Sequence, residues 1–270
     1  MNLATLRIGL AALLLAACSA VSSQPTAYKP VDAQSRFNKI IGEVSQLKDG
    51  NLVGNAWFYG KDGCHVVTNF HVAFGKTKKI ERHKVTGEEF ERVLLVDNPA
   101  RGHRTRLNFD FDPKSQAFSR SVVAEVVAFG NYEQGSIAGI REDIALLRLE
   151  QCAGPEYAGL DMDRADENQK NPPGRMMIFS SLRSADGKVL IGSFEGCRAT
   201  VKTPGAGLVG SSCPTHDGMS GSMMISEDTM RIVGLNVSRF QYDDGTKAGI
   251  AVSAKYLNKF LDEHMAAVLK

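Results

Sequence analysis

Short apolar runs recur along nearly the whole chain, each closed by turn residues, and this rhythm limits the possible folds more than any other feature. Candidate strands lie near 40–47, 53–59, 64–69, 91–96, 105–111, 121–129 and 143–149, then near 175–181, 189–202, 207–212, 222–226, 231–238 and 247–252. Regular short strands separated by turn signals read as an antiparallel barrel or sandwich. Asp112-Pro113 and the polar stretch at 97–104 read as surface loops. Gly154-Pro155 and the polar segment from Asp163 to Gly174 read as a connection between two halves. From Ala254 the spacing of Tyr256, Leu257, Phe260, Leu261 and Met265 is helical, which predicts a C-terminal helix over 254–268 with one apolar face. With 270 residues, 43% of them hydrophobic, the chain can bury a substantial core. No internal repeat or low-complexity tract interrupts it.

The formal charge of +2 is close to neutral. Lys76, Lys78, Lys79, Arg82 and Lys84 cluster, but Glu81 sits among them and Glu88 and Glu89 follow, so this segment reads as a solvated loop and nucleic acid is not an expected partner. The N-terminus carries an export signal: a short n-region over Met1–Arg7, then an apolar run from Ile8 to Ala17 too short to span a bilayer. It ends in Leu15-Ala16-Ala17-Cys18-Ser19, which resembles the bacterial lipobox. There, cleavage leaves the cysteine as the new N-terminus and acyl chains anchor it to a membrane. Residues 1–17 are thus expected to be a lipoprotein signal peptide and Cys18 the lipidated residue. A flexible tether over 18–36 would follow, rich in Ser, Gln and Pro. The alternative is ordinary secretion with cleavage after Ala20. Ser19, not Asp, follows the cysteine, which in a Gram-negative source points to the periplasmic face of the outer membrane.

Three segments carry candidate chemistry. In Asp217-Gly218-Met219-Ser220-Gly221-Ser222, glycines on both sides of a serine permit positive φ values and close approach of a ligand. Such a turn exposes a hydroxyl and aims backbone N–H groups at one point, as acyl transfer requires. In Cys64-His65-Val66-Val67-Thr68-Asn69-Phe70-His71, an apolar strand ends just before His71. In Arg141-Glu142-Asp143-Ile144-Ala145-Leu146, Asp143 opens an apolar strand, where a buried carboxylate needs a partner such as a histidine N–H. Taken singly, each has a plain alternative: an ordinary turn, a satisfied core histidine, a solvated acid at a strand start.

Together, Thr68-Asn69-Phe70-His71-Val72, Asp143-Ile144-Ala145-Leu146-Leu147 and Gly218-Met219-Ser220-Gly221-Ser222 resemble the motifs of the chymotrypsin-like serine proteases, in the same order His, Asp, Ser. The bacterial branch, with the glutamyl endopeptidases and high-temperature-requirement proteases, is the nearest match, over roughly 40–261. The resemblance implies an all-β fold of two six-stranded antiparallel barrels, about 37–153 and 174–253, followed by the helix. It implies Ser220 as nucleophile, His71 as general base and acid, Asp143 as its orienting partner, and the N–H groups of Gly218 and Ser220 as oxyanion hole. It implies polypeptide substrates and no cofactor or metal. Met219 stands where animal digestive members carry an aspartate that pairs with a new N-terminus, so no activation cleavage is expected and packing near Cys213 would hold the loop. His65 and His216 lie near the site with structural or loop roles expected.

Apart from Cys18, four cysteines allow three pairings, and a zinc site is disfavoured by the lack of any Cys-x-x-Cys spacing. The resemblance selects Cys64–Cys152 and Cys197–Cys213. It also places Pro214 and Thr215 along the base of the primary substrate pocket and Asn236, Val237 and Ser238 on its wall. Pro214 argues against a trypsin-like preference for basic residues. Thr215 matches a hydroxyl position of glutamyl endopeptidases, but Asn236 replaces their histidine, so an acidic preference aided by Arg239 stays open. Two functions follow: a membrane-tethered serine endopeptidase, or an inactive protease-fold lipoprotein serving as a binding or envelope-assembly module.

Overall fold

The computed structural model describes residues 28–30, 32, 35–48, 50, 52–82, 89–95, 99–133, 136–163, 174–184, 186–199, 207–241 and 247–268. The signal segment, Cys18 and the first part of the expected tether lie outside them. The tether reading is corrected at its far end, where strand β1 (Lys29–Pro30) pairs with Ser193 and Gly192. Tyr28 explains the docking: its ring lies 5.2 Å from Phe194, and its hydroxyl donates to the carbonyls of Ser180 and Leu190.

After a single helical turn, α1 (Phe37–Ile40), come β2 (Ile41–Ser45), β3 (Leu52–Tyr59) and β4 (His65–Thr68). A second turn, α2 (Phe70–Ala73), precedes a hairpin, β5 (Lys76–Arg82) and β6 (Glu89–Leu95). The hairpin corrects two expectations. Residues 76–82 are a strand rather than a loop, and the strand foreseen near 91–96 pairs with it and not with the barrel. Backbone pairing within a hairpin needs no buried face, so hydrophobic pattern does not reveal it. Then come β7 (Arg104–Asp112), β8 (Ala117–Phe129), the turn α3 (Ile137–Arg141) and β9 (Ala145–Leu149). Strands β2, β3, β4, β9, β8 and β7 close a six-stranded barrel.

The second half contains β10 (Arg175–Arg183), β11 (Val189–Arg198), β12 (Leu208–Ser211), β13 (Met223–Ser226), β14 (Ile232–Gln241) and β15 (Lys247–Ser253). These six form one antiparallel sheet in the order β11-β10-β13-β14-β15-β12, with β1 added outside β11. A bridge between Ala199 and Ser211 and the disulfide Cys197–Cys213 tie β11 to the β12 end, closing the curl. The other expected disulfide, Cys64–Cys152, fastens β4 to the segment after β9. The predicted two-barrel class holds.

One apolar cluster spans both halves, with Trp57, Val67, Ile144 and Leu146 against Met223, Leu235 and Val252. The helix α4 (Ala254–Val268) adds Leu257, Phe260 and Leu261 to it from the face its spacing predicted. Each such side chain contributes about 1.5–3 kcal/mol when fully buried. The halves therefore share a core, and the cleft between them is set by packing. Among the described residues no helix is long and apolar enough to cross a membrane.

Candidate active site

Asp143 is fully buried between α3 and β9, where an unpartnered carboxylate would be costly. His71 satisfies both of its oxygens: the His71 backbone N–H donates to Oδ1 at 3.0 Å, and Nδ1 lies 2.7 Å from Oδ2. Asn69, extended at φ −75° and ψ 152°, starts the α2 turn and donates its side-chain amide to the Asp143 carbonyl at 2.9 Å. The strand end, the turn and the start of β9 thus lock into one unit. Because Nδ1 faces a carboxylate it carries the proton, which leaves a lone pair on Nε2. His71 Nε2 has no partner, and the residue is only 6% exposed. The phenol of Tyr132, whose ring lies 6.3 Å from that of His71, is pushed up to about 12 by burial and then by the charge of Asp143.

Ser220 comes from the other half. Its turn presses onto the strands that lead to His71: a Cβ at Gly54 would fall 2.6 Å from the Ser220 carbonyl oxygen and 2.7 Å from the Val72 side chain. Gly221, at φ +84°, is held still closer, since a Cβ there would sit 1.9 Å from the Asn55 carbonyl oxygen. Only glycine fits at these two positions. Gly218, at φ +90°, faces open space instead. The Ser220 hydroxyl donates to the Val237 carbonyl at 3.1 Å, so it is not bonded to His71 in this structure. Val237 is the residue skipped where β14 bulges between Asn236 and Ser238 in its pairing with β15.

The expected pocket residues divide. Pro214 and Thr215 are half-buried, and the Thr215 methyl would lie 3.0 Å from a Cβ at Gly249, so Gly249 keeps that space open. Ser238 is exposed, whereas Val237 is 5% exposed. Asn236 is 1% exposed, and its amide donates to the Met219 carbonyl at 2.8 Å, toward the nucleophile turn. Met219 is fully buried beside Cys197 and Cys213, in agreement with a loop held by packing. His216 is exposed with its ring 6.0 Å from Phe194, and burial pushes the His65 imidazole down against the pull of Asp62. Asn55, Asn69 and Tyr132 were missed from sequence. Asn55 left one trace, a Gly54-Asn55 pair inside an apolar strand, which marks close approach of another backbone.

No protein-family model matches this chain, and no curated protein matches it in sequence. Solved structures do. A Glu endopeptidase in complex with MPD shares 18% identity, with a TM-score of 0.57 over 88% of this chain and 96% of its own. Neuropsin, a serine protease expressed in the limbic system of mouse brain, shares 12% identity, also with a TM-score of 0.57, over 88% of this chain and 98% of its own. The chain therefore has the fold of the chymotrypsin-like serine proteases.

Proposed function

We propose that the chain is an exported serine endopeptidase working through His71, Asp143 and Ser220. The observation that carries this reading is the buried Asp143 carboxylate holding His71 by two hydrogen bonds, which leaves Nε2 unpartnered, as a general base requires. Ser220 turns its hydroxyl from Val237 to Nε2 and gives up its proton there as Oγ bonds to a peptide carbonyl carbon. The oxyanion that forms meets the N–H groups of Gly218 and Ser220. Collapse breaks the C–N bond, and Nε2 returns the proton to the leaving amine. Water, deprotonated by the same nitrogen, then cleaves the acyl-enzyme. Asp143 keeps the imidazole in the required tautomer and stabilises its cation.

The two disulfides fit an oxidising compartment. The lipobox-like Leu15-Ala16-Ala17-Cys18 supports a membrane-anchored enzyme, held through acylated Cys18. Incorporation of labelled palmitate that disappears in Cys18→Ser tests this; equal incorporation in both would overturn it.

A fluorophosphonate probe applied to a soluble form beginning at Gln24 tests the chemistry. Labelling is expected to vanish in Ser220→Ala. It should fall by roughly three to four orders of magnitude in Asp143→Asn, whose amide would favour the wrong histidine tautomer. One observation favours the second reading, a binding module without turnover: the Ser220 hydroxyl is engaged by Val237. A folded, disulfide-bonded protein that takes no label would establish that module instead.

A further inference from the structure

Asn55 lies on β3 of the first barrel, 1% exposed, and its polar atoms reach three separate parts of the molecule. Its side-chain amide donates to the Gly218 carbonyl at 2.7 Å, and its backbone N–H donates to the Ser220 carbonyl at 2.7 Å. Its Oδ1 accepts from the Ser181 N–H and hydroxyl on β10, both at 2.7 Å. Its carbonyl accepts from the Thr68 hydroxyl at 2.6 Å, at the end of the strand that leads to His71. Ser222, two residues past the nucleophile, donates to the Ser180 hydroxyl at 2.9 Å, and that hydroxyl also lies 3.3 Å from the Asn55 amide.

Asn236 acts on the next carbonyl from the second barrel. The Met219 carbonyl accepts from its amide at 2.8 Å and from the Ser222 N–H at 3.1 Å. No peptide here is cis, and in a planar trans peptide N–H and C=O point in opposite directions. Fixing the Met219 carbonyl inward therefore turns the Ser220 N–H outward. Fixing the Gly218 carbonyl likewise sets the direction of the Met219 N–H, which donates within the turn to the His216 carbonyl at 3.1 Å. The carbonyls on both sides of Met219 are thus held by amides from opposite barrels, where a charged side chain at 219 would otherwise need an ionic partner.

We infer that Asn55 is a positioning residue which, with Asn236, forms a two-amide clamp holding the nucleophile turn so that the Ser220 N–H faces the cleft. The inference rests on the proposed catalytic reading for its kinetic consequence but not for its structural one. Both sides of the amide have separate partners, so they can be tested separately. Asn55→Asp keeps the acceptor for Ser181 and replaces the donor to Gly218 with a second acceptor. Ser181→Ala removes a bond at the far side and leaves the turn untouched.

The experiment measures the second-order rate of fluorophosphonate labelling, the melting temperature and hydrogen–deuterium exchange of the peptide covering 214–222. In Asn55→Asp labelling is expected to slow on the order of 10²-fold, the scale of a lost oxyanion donor, against less than about threefold in Ser181→Ala. Exchange of 214–222 should speed up only in the Asn55 variant. If Asn55→Asp does not fold, Asn55→Ala carries the same comparison. Labelling that tracks melting temperature alike in both variants, or unchanged exchange in a folded Asn55 variant, overturns the clamp. An unlabelled parent protein would sink the catalytic reading, and the exchange result would still decide the clamp.

Discussion

Glu43 shows how a single side chain can set the pH response of this fold. It is fully buried on β2, with one oxygen 2.6 Å from the Arg183 guanidinium and the other without a partner. Desolvation holds its carboxyl above the usual range, and the pull of Arg183 only partly offsets this. A carboxyl with a raised folded value binds its proton more tightly in the native state. Stability is then greatest while the group is protonated in both states. It falls as pH rises from the unfolded value, about 4.3, toward the folded one. Glu43→Gln stays neutral throughout, so its melting temperature should gain on that of the parent across this window whatever constant offset the lost ion pair adds. Two profiles that run parallel from pH 4 upward would rule this out.

The two disulfides separate stability from activity among the structural elements. Cys64–Cys152 spans 88 residues and Cys197–Cys213 spans 16. Loop-closure entropy assigns them about 4–5 and about 3 kcal/mol, or roughly 9–18 °C against 6–12 °C in melting temperature for a chain of this size. Cys213, however, leads directly into the nucleophile turn and packs with buried Met219. Replacing both members of each pair by serine should therefore invert the ranking: the first double variant melts lower, whereas the second labels more slowly with fluorophosphonate. Activity losses that follow the melting temperatures would contradict this. The same contrast explains what could be read from sequence. Strands with an apolar rhythm, such as β9 and β13, were evident, as were the motifs around His71, Asp143 and Ser220. The β5–β6 hairpin lacks such a rhythm. β1 sits in a polar stretch and owes its place to Tyr28 on Phe194. Asn55 and Asn236 acquire their roles only when distant segments meet at the nucleophile turn.

At the scale of the whole molecule, the described residues ahead of the first barrel are built into the fold. Activation by cleavage near Ile40 or Ile41 would require a new N-terminus to leave the surface and find a buried carboxylate directly before Ser220. Neither condition is met. Ile41 is fully buried and pairs with Trp57 between β2 and β3, so freeing it opens the first barrel. Phe37, just upstream, stacks on Phe179 of the second half with ring centroids 3.9 Å apart, and Tyr28 docks on that half as well. At the nucleophile turn the preceding residue is Met219, sealed among Cys197, Cys213 and Met224, with no charge to receive an ammonium. The described residues upstream, Tyr28 and Phe37 among them, therefore hold the two barrels together. A soluble form beginning at Gln24 should label without any processing, and a form beginning at Ile41 should melt lower and label no faster. Labelling that appears only once the residues before Ile41 are removed would show that the uncut chain is a zymogen.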